Sequence, residues 1–363
     1  MRGVFSSALA VAVLCGAPAL APPARAGVVN PDISVIGQPF VRWTDAESSP
    51  AEKRLVLDPG ELELLFDSPL NPYANGTVVA SIGSEGAALE EGYITLVRGL
   101  PAGLALKGGR YRVEFGRLNA QHPHTLPFAE RPFMLATYLP GDEAMIETGL
   151  QVSEQFGTAS GRAYKLSVDW LQGDSFHPEE PEPRPAFLGR ATAFLPINDR
   201  SGFEFGASWC EGTHEVVSGA RTRLLGLDVK LKRWSGPETY VLLQAEGIVG
   251  RHETAEWRDE SQRWWKSASL SHGGHAFVDF HPDRRLNFGG SIEAYRDPEL
   301  DNEWVTSYGV FGGFSLMEET TAIRADWVGH VPPVRALGES EPTVNTFTLR
   351  VVWSMGPHKA HQF

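Results

Sequence analysis

The chain has 363 residues, of which 42% are hydrophobic and 21% charged, and it carries a formal net charge of −13 at pH 7. This acidic balance argues against nucleic-acid binding, which needs a clustered basic surface. The mean hydropathy of −0.20, with no apolar run of about 18 residues beyond the N-terminus, excludes transmembrane helices. Membrane-spanning strands stay possible, because they are apolar only at every second position.

The first 26 residues have the features of a secretory signal peptide. Arg2 supplies a positive start, residues 4–20 are mostly small and apolar, and Ala24-Arg25-Ala26 forms an A-x-A cleavage pattern. An uncleaved membrane anchor would need about 18 or more apolar residues. Cleavage leaves 337 residues, 27–363, with Cys210 as their single cysteine. We therefore predict an exported chain without an internal disulfide.

The first part of the exported chain, up to residue 115, shows strand-like alternation of apolar and polar residues. The first candidate strands are 33–43, 60–67, 76–83, 90–98 and 104–115. In the last of these, Arg110 and Arg112 alternate with Tyr111 and Val113, which predicts that both arginines face the inside of a barrel. There they could bind anions or pair with Glu114 on the same face.

Residues 119–147 interrupt the alternation and are too long for a hairpin turn. We predict that they fold into or over the pore of a barrel. His122 and His124 lie on one side of this segment if it is extended, and could hold a zinc ion if a third ligand came from elsewhere. His358 and His361 form a second such pair. The alternative is that these histidines are solvated loop residues, and no other cofactor is predicted.

Alternation resumes after residue 147. The remaining candidate strands are 148–156, 162–171, 186–195, 202–211, 223–234, 238–249, 262–271, 274–281, 286–295, 303–314, 320–328 and 346–353. An arginine or lysine on the lipid face of a barrel costs about 2–4 kcal/mol at the bilayer midplane. We therefore predict that the charged face of these strands lines the pore, at Lys230, Lys232, Glu293, Arg324, Asp326 and Arg350.

The candidate strands number 17, whereas a single-chain bacterial barrel has an even number. One segment is therefore misassigned, and we expect 33–43 to lie outside the barrel. The predicted fold is all-β: a transmembrane antiparallel β-barrel of about 16 strands, within a range of roughly 14–18. A soluble exported β-sandwich is the alternative fold, because its strands would also alternate.

Several stretches resemble the phosphate-selective-porin-like barrels of Gram-negative bacteria. They are LEEGYITL (89–96), LPAGL (100–104) and GRYRVEFGRLN (109–119). The continuation from QHPH (121–124) to residue 149 is similar to the branch labelled zinc-regulated or TonB-dependent outer-membrane receptor, as is the tail GPHKAHQF (356–363). The resemblance covers roughly residues 58–160 and the tail. It implies a bacterial outer-membrane location, and 337 residues leave no obvious plug domain for TonB-driven transport.

The sequence contains no G-x-S-x-G, H-E-x-x-H, C-x-x-C or phosphate-loop motif, so we predict no enzymatic activity. The predicted function is a porin-like channel for passive passage of small hydrophilic solutes or ions. Its predicted partners are outer-membrane lipid and those solutes, and a homotrimer is a possible assembly. The alternative function is an outer-membrane binding or uptake protein for metal ions or metal complexes.

Overall fold

The computed structural model describes residues 31–356, apart from 48, 85, 142–143, 179–181, 183, 260, 299, 318–320 and 333–341. The predicted signal peptide, His358 and His361 lie outside these residues. No helix in the described ranges is long and apolar enough to cross a membrane.

Eighteen β-segments make up most of the described chain. They are β1 (Asp32–Gly37), β2 (Phe40–Thr44), β3 (Val56–Asp58), β4 (Leu62–Asn71), β5 (Ala74–Gly83), β6 (Gly86–Leu96), β7 (Ala105–Arg112), β8 (Ile146–Gly157), β9 (Ala163–Leu171), β10 (Ala186–Asn198), β11 (Ser201–Glu215), β12 (Ala220–Trp234), β13 (Tyr240–Arg258), β14 (Arg263–His281), β15 (Leu286–Asp297), β16 (Glu303–Met317), β17 (Thr321–Val331) and β18 (Val344–Met355). One helix, α1 (Phe133–Tyr138), and three short 3-10 turns, Pro101–Gly103, Pro123–Thr125 and Asp174–Phe176, complete the assigned elements.

The eighteen segments form sixteen strands. β1 and β2 both pair with β18, so they are two halves of one strand. β3 and β4 pair with β2 and β1 in turn, so they form the next strand. Each interruption contains a proline, Pro39 or Pro59, which has no N–H to give to the ladder.

Every strand is antiparallel to its neighbours, and the pairing of β18 with β1 and β2 closes the sheet. The prediction of an all-β antiparallel barrel of about 16 strands is confirmed. The expectation that residues 33–43 lie outside the barrel was wrong, because β1 and β2 form the strand that closes it.

The surplus predicted strand came from dividing β14. Except for Gln262, the residues of both predicted segments, 262–271 and 274–281, belong to one 19-residue strand. Gly273 and Gly274, where the two segments meet, lie within this strand and form no turn. A Cβ at Gly273 would overlap the side chain of Tyr295 on β15. The glycine therefore allows the backbone and Cβ of Tyr295 on the next strand to approach closely, as glycines within strands often do.

The two faces of the sheet differ sharply in polarity. On β12, Leu225 and Leu227 are both 58% exposed on the outside, whereas Asp228 is 1% exposed on the inside. Ile292 on β15 is 66% exposed on the outer face. The outer surface is therefore apolar at the level of these strands, as contact with lipid requires.

Because the strands are antiparallel, their connections alternate between the two ends of the barrel. The end that carries residues 31 and 356 has short connections such as 72–73 and 199–200. The opposite end has the longer ones, including 45–55, 172–185 and 113–145. We call residues 113–145, the longest connection, the lumen segment.

The hydrophobic core lies inside the barrel. The lumen segment contributes Val113, Phe115, Leu118, Leu126, Phe128, Met134, Leu135, Tyr138, Leu139 and Met145, all at most 6% exposed. They pack with inward-facing residues of β9 to β16, among them Leu171, Leu188, Leu224, Ile248, Phe277 and Phe311. The interior is therefore occupied by a packed segment of the chain at this level.

Candidate functional site: the interior of the barrel

The lumen segment enters the barrel directly after β7. Gly116 adopts φ +61° and a Cβ there would overlap the carboxylate of Glu246 on β13. The backbone N–H groups of Arg117 and Leu118 both donate to Glu246 Oε1, each at 2.8 Å. One inward carboxylate of β13 therefore satisfies two backbone donors of an irregular segment, which would otherwise be buried without partners.

Asn119 ties the two ends of the lumen segment together. Its Nδ2 donates to the carbonyls of Val113 and Met145 at 2.7 and 3.1 Å. Its Oδ1 accepts the N–H of Met145 at 2.9 Å. The segment is thus closed at its base by a side chain that is itself 1% exposed.

Two acidic residues that the sequence predicts to line the pore bind the backbone of the lumen segment. Glu293 accepts the N–H groups of Phe133 and Met134, at 3.2 Å each, and so caps the first turn of α1. Asp326 accepts the N–H of Ala129 at 3.0 Å. Both carboxylates lie on the inner wall.

Two arginines that the sequence predicts to line the pore bind backbone carbonyls of the same segment. Arg324 donates to the carbonyl of His124 at 2.7 Å and also to that of Leu126. Arg350 donates to the carbonyl of Phe128 at 3.0 Å and to that of Leu126 at 3.3 Å. The arginines of β17 and β18 therefore hold the segment in place.

Lys230 and Lys232 lie on the inner face of β12, as Asp228 does. The Nζ of Lys232 lies 4.6 and 4.3 Å from the ring centroids of Trp234 and Tyr240. Such a distance gives a cation–π contact. Both lysines lie within five residues of the last residue of β12, Trp234, at the end of the barrel that carries residues 31 and 356.

Glu114 pairs with lysines and not with the predicted arginines. Its carboxylate lies 2.6 Å from the Nζ of Lys165 and 3.6 Å from that of Lys107. Burial alone would raise the pKa of Glu114, but the two ammonium groups lower it below its usual value. The carboxylate is held ionised inside the barrel.

The prediction that Arg110 faces the interior was wrong. Tyr111 faces inward, where its hydroxyl donates to the carboxylate of Asp169 at 2.8 Å, so the neighbouring Arg110 lies on the outer face of β7. Arg112, at the end of β7, is buried, and its Nη2 lies 2.5 Å from Glu90 Oε2.

The error at Arg110 has a physical cause. Apolar residues of a barrel strand normally face lipid, but Tyr111, Val113 and Phe115 belong to the core inside this barrel. A strand that adjoins a packed lumen segment can therefore carry apolar residues on its inner face.

A cluster of carboxylates and histidines joins the lumen segment to the opposite wall. Glu63 of β4 places Oε2 at 3.2 Å from Nδ1 of His122 and 3.3 Å from Nδ1 of His124. Glu91 of β6 places Oε1 at 2.9 Å from Nε2 of His122. Glu63 is 2% and His124 5% exposed.

The carboxylates change the acidity of His122. Burial opposes a charged imidazole, yet hydrogen bonds with Glu63 and Glu91 raise the pKa of His122 to about 9. In the absence of another cation, His122 is therefore an imidazolium at neutral pH.

A polar cavity remains between the lumen segment and the part of the wall formed by β2, β18 and the residues next to Pro39 and Pro59. Its volume is about 360 Å³. Its lining comprises Gln38, Phe40, Arg42, Gly60, Glu61, Pro123, Ala129, Glu130, Arg131, Phe133, Ala136, Thr348 and Arg350. Arg42 and Glu130 form an ion pair across it.

Sequence reasoning missed the wall residues that receive the lumen segment. Glu63, Glu91 and Glu246 all lie on strands that the alternation located correctly, so their parity could have placed them inside. The sequence held no signal for their partners, because the partners are backbone groups and histidines 31 to 129 residues away.

No family model matches the chain. Solved structures nevertheless share its architecture over 90% of its length. An anion-selective porin from Comamonas acidovorans has a TM-score of 0.59 at 10% identity and is covered over its whole length. The outer membrane channel DcaP of Acinetobacter baumannii has a TM-score of 0.56 at 10% identity and 97% coverage, and OprB of Pseudomonas putida 0.57 at 8% and 94%. The fold is therefore that of outer-membrane porins.

The chain is also similar to an uncharacterized protein of Aquifex aeolicus strain VF5. The two are 29% identical over an alignment of 342 residues, and the match covers 83% of this chain and 69% of the relative.

Proposed function

We propose that this protein is a porin-like channel of the bacterial outer membrane through which small hydrophilic solutes or ions pass passively. The observation that carries the proposal is the polar cavity of about 360 Å³ beside the lumen segment, inside a barrel with an apolar outer surface. The lumen segment narrows the interior, and carboxylates of the wall accept hydrogen bonds from several of its backbone N–H groups. A membrane protein tolerates such irregular backbone where it lines a cavity.

The charges that line the cavity are mixed. Arg42, Arg131 and Arg350 face Glu61 and Glu130. Ions of either sign meet both attractive and repulsive groups there, so we expect weak ion selectivity. Solutes would be sorted mainly by size.

Single-channel recording in planar bilayers tests this proposal. Arg42 lines the cavity, so Arg42→Ala should change the conductance and shift the reversal potential in asymmetric salt towards cations. Arg110→Ala is the matched control, because it removes the same charge from the outer face and should leave both quantities unchanged. A barrel that assembles but never conducts would overturn the proposal.

We further propose that three copies assemble in the membrane. Vibrio cholerae OmpT, which shares the fold with a TM-score of 0.55 at 8% identity, is described in a trimer form. The test compares, on a gel, the protein that has been cross-linked and left unheated with the heated protein that has not been cross-linked. Migration of the cross-linked protein at three times the mass of the heated chain would support the assembly. Migration at the mass of a single chain would contradict it.

A further inference from the structure

We propose that Glu63, His122 and His124 form a binding site for a transition-metal ion of the zinc class, which joins the barrel wall to the lumen segment. Among the described residues, these three place one ligand atom each within 4.8 Å of one another. The site is independent of whether solutes cross the barrel.

The distances between donor atoms suit a tetrahedral ion. Glu63 Oε2 lies 3.2 and 3.3 Å from Nδ1 of His122 and His124. Zinc bonds of about 2.0–2.1 Å in tetrahedral geometry separate neighbouring ligand atoms by about 3.3 Å. Two of the three separations therefore match a tetrahedral zinc ion, and all three ligand atoms lie within 4.8 Å of one another.

The elements around the site position the two imidazoles. The 3-10 turn Pro123–Thr125 brings both rings to one side, where they stack with centroids 5.7 Å apart and planes 27° apart. The carbonyl of His124 is held by Arg324. Both rings thus present Nδ1 to the same carboxylate from a fixed backbone.

Glu91 supplies the support that metal-bound histidines usually have. Its carboxylate lies 2.9 Å from Nε2 of His122, so Nε2 can donate its proton and leave the Nδ1 lone pair for the ion. A carboxylate in this position orients the ring and increases its basicity as a ligand.

The nature of the donors selects the ion. Imidazole nitrogens favour zinc, nickel or copper, whereas magnesium and calcium prefer all-oxygen sites. Three protein ligands leave one tetrahedral position open. Pro123, between the two histidines, lines the polar cavity, so the proposed site lies next to that cavity.

The competing interpretation is an ion-pair cluster in which a protonated His122 replaces the metal. Both interpretations use the same residues, but only one predicts stoichiometric binding of an ion. Direct measurement of bound zinc separates them.

The test uses the full chain without a histidine tag, folded in detergent, in a background of His358→Gln and His361→Gln that removes the tail histidines. Equilibrium dialysis against zinc should give one ion per chain. His122→Ala combined with His124→Ala should abolish this binding, and the conservative Glu63→Gln should weaken it at least tenfold. His272→Ala is the matched control. His272 contacts Trp304 and is not one of the three proposed ligands, so its loss should leave zinc binding unchanged.

Gel migration before and after heating shows whether each variant is folded. A folded parent that binds no zinc, or binding that survives the double histidine change, would overturn the site. Conductance in zinc-free buffer is a separate measurement: a barrel that conducts without binding zinc contradicts only the metal site, and one that binds zinc without conducting contradicts only the channel.

Discussion

At the scale of single residues, carboxylates on the inner wall accept the backbone hydrogen bonds that the lumen segment does not make within itself. The lumen segment has little secondary structure of its own, so its buried N–H groups need partners from the wall. Glu246 and Glu293 each serve two of them. Their role is to fix the segment, and this differs from the open pore lining that the sequence predicts for Glu293.

Replacement of Glu246 tests this role. Each buried donor left without a partner costs about 1–3 kcal/mol, so Glu246→Ala should lower the free energy of unfolding by at least about 2 kcal/mol. Glu246→Gln keeps an acceptor oxygen and should cost less. The free energy of unfolding of both variants is measured by denaturant titration, with heat-dependent gel migration as the readout of the folded fraction.

Glu238→Ala provides the control for that series. Glu238 forms an exposed ion pair with Arg284, and such pairs are worth about 0–1 kcal/mol. If Glu246→Ala were no more damaging than Glu238→Ala, the backbone contacts of Glu246 would contribute nothing measurable.

At the scale of strands, the separation of faces should be visible in assembly. Leu227 is exposed on the outer face of β12, whereas Lys230 lies on the inner face. Leu227→Arg should sharply reduce the folded yield, because an arginine in lipid costs about 2–4 kcal/mol at the midplane. Lys230→Leu places no charge in lipid and should assemble far better. Equal yields would mean that β12 does not cross a membrane in this orientation.

The strands were the most predictable part of the molecule. Period-2 alternation located β12, β15, β17 and β18 with the correct face outward, because lipid and interior impose opposite demands on neighbouring residues. It failed at β14, where Gly273 accommodates Tyr295 of the next strand, and at Arg110, where the core lies inside. Both failures depend on contacts between distant parts of the chain, which a local pattern does not contain.

At the scale of the whole molecule, the lumen segment decides how much of the barrel is open. Deletion of residues 121–138 would remove α1 and one side of the cavity of about 360 Å³. We expect a higher conductance and weaker discrimination between solutes of different size. Bilayer recording and liposome swelling measure these, with gel migration to show that the barrel has assembled. An unchanged conductance would place the path for solutes away from the lumen segment.

The pairing of β1 and β2 with β18 also constrains the order of folding. Residue 35 meets residue 355, so the last edge of the sheet disappears only when almost the whole chain is present. Contacts of such long sequence separation form slowly, and until they form, two open strand edges are available for pairing with other molecules. The lumen segment contacts β13 and β15 to β18 inside the barrel, so it must be inside before or while β18 pairs with β1 and β2. Folding should therefore end in one cooperative step in which the interior is packed and the barrel is sealed together.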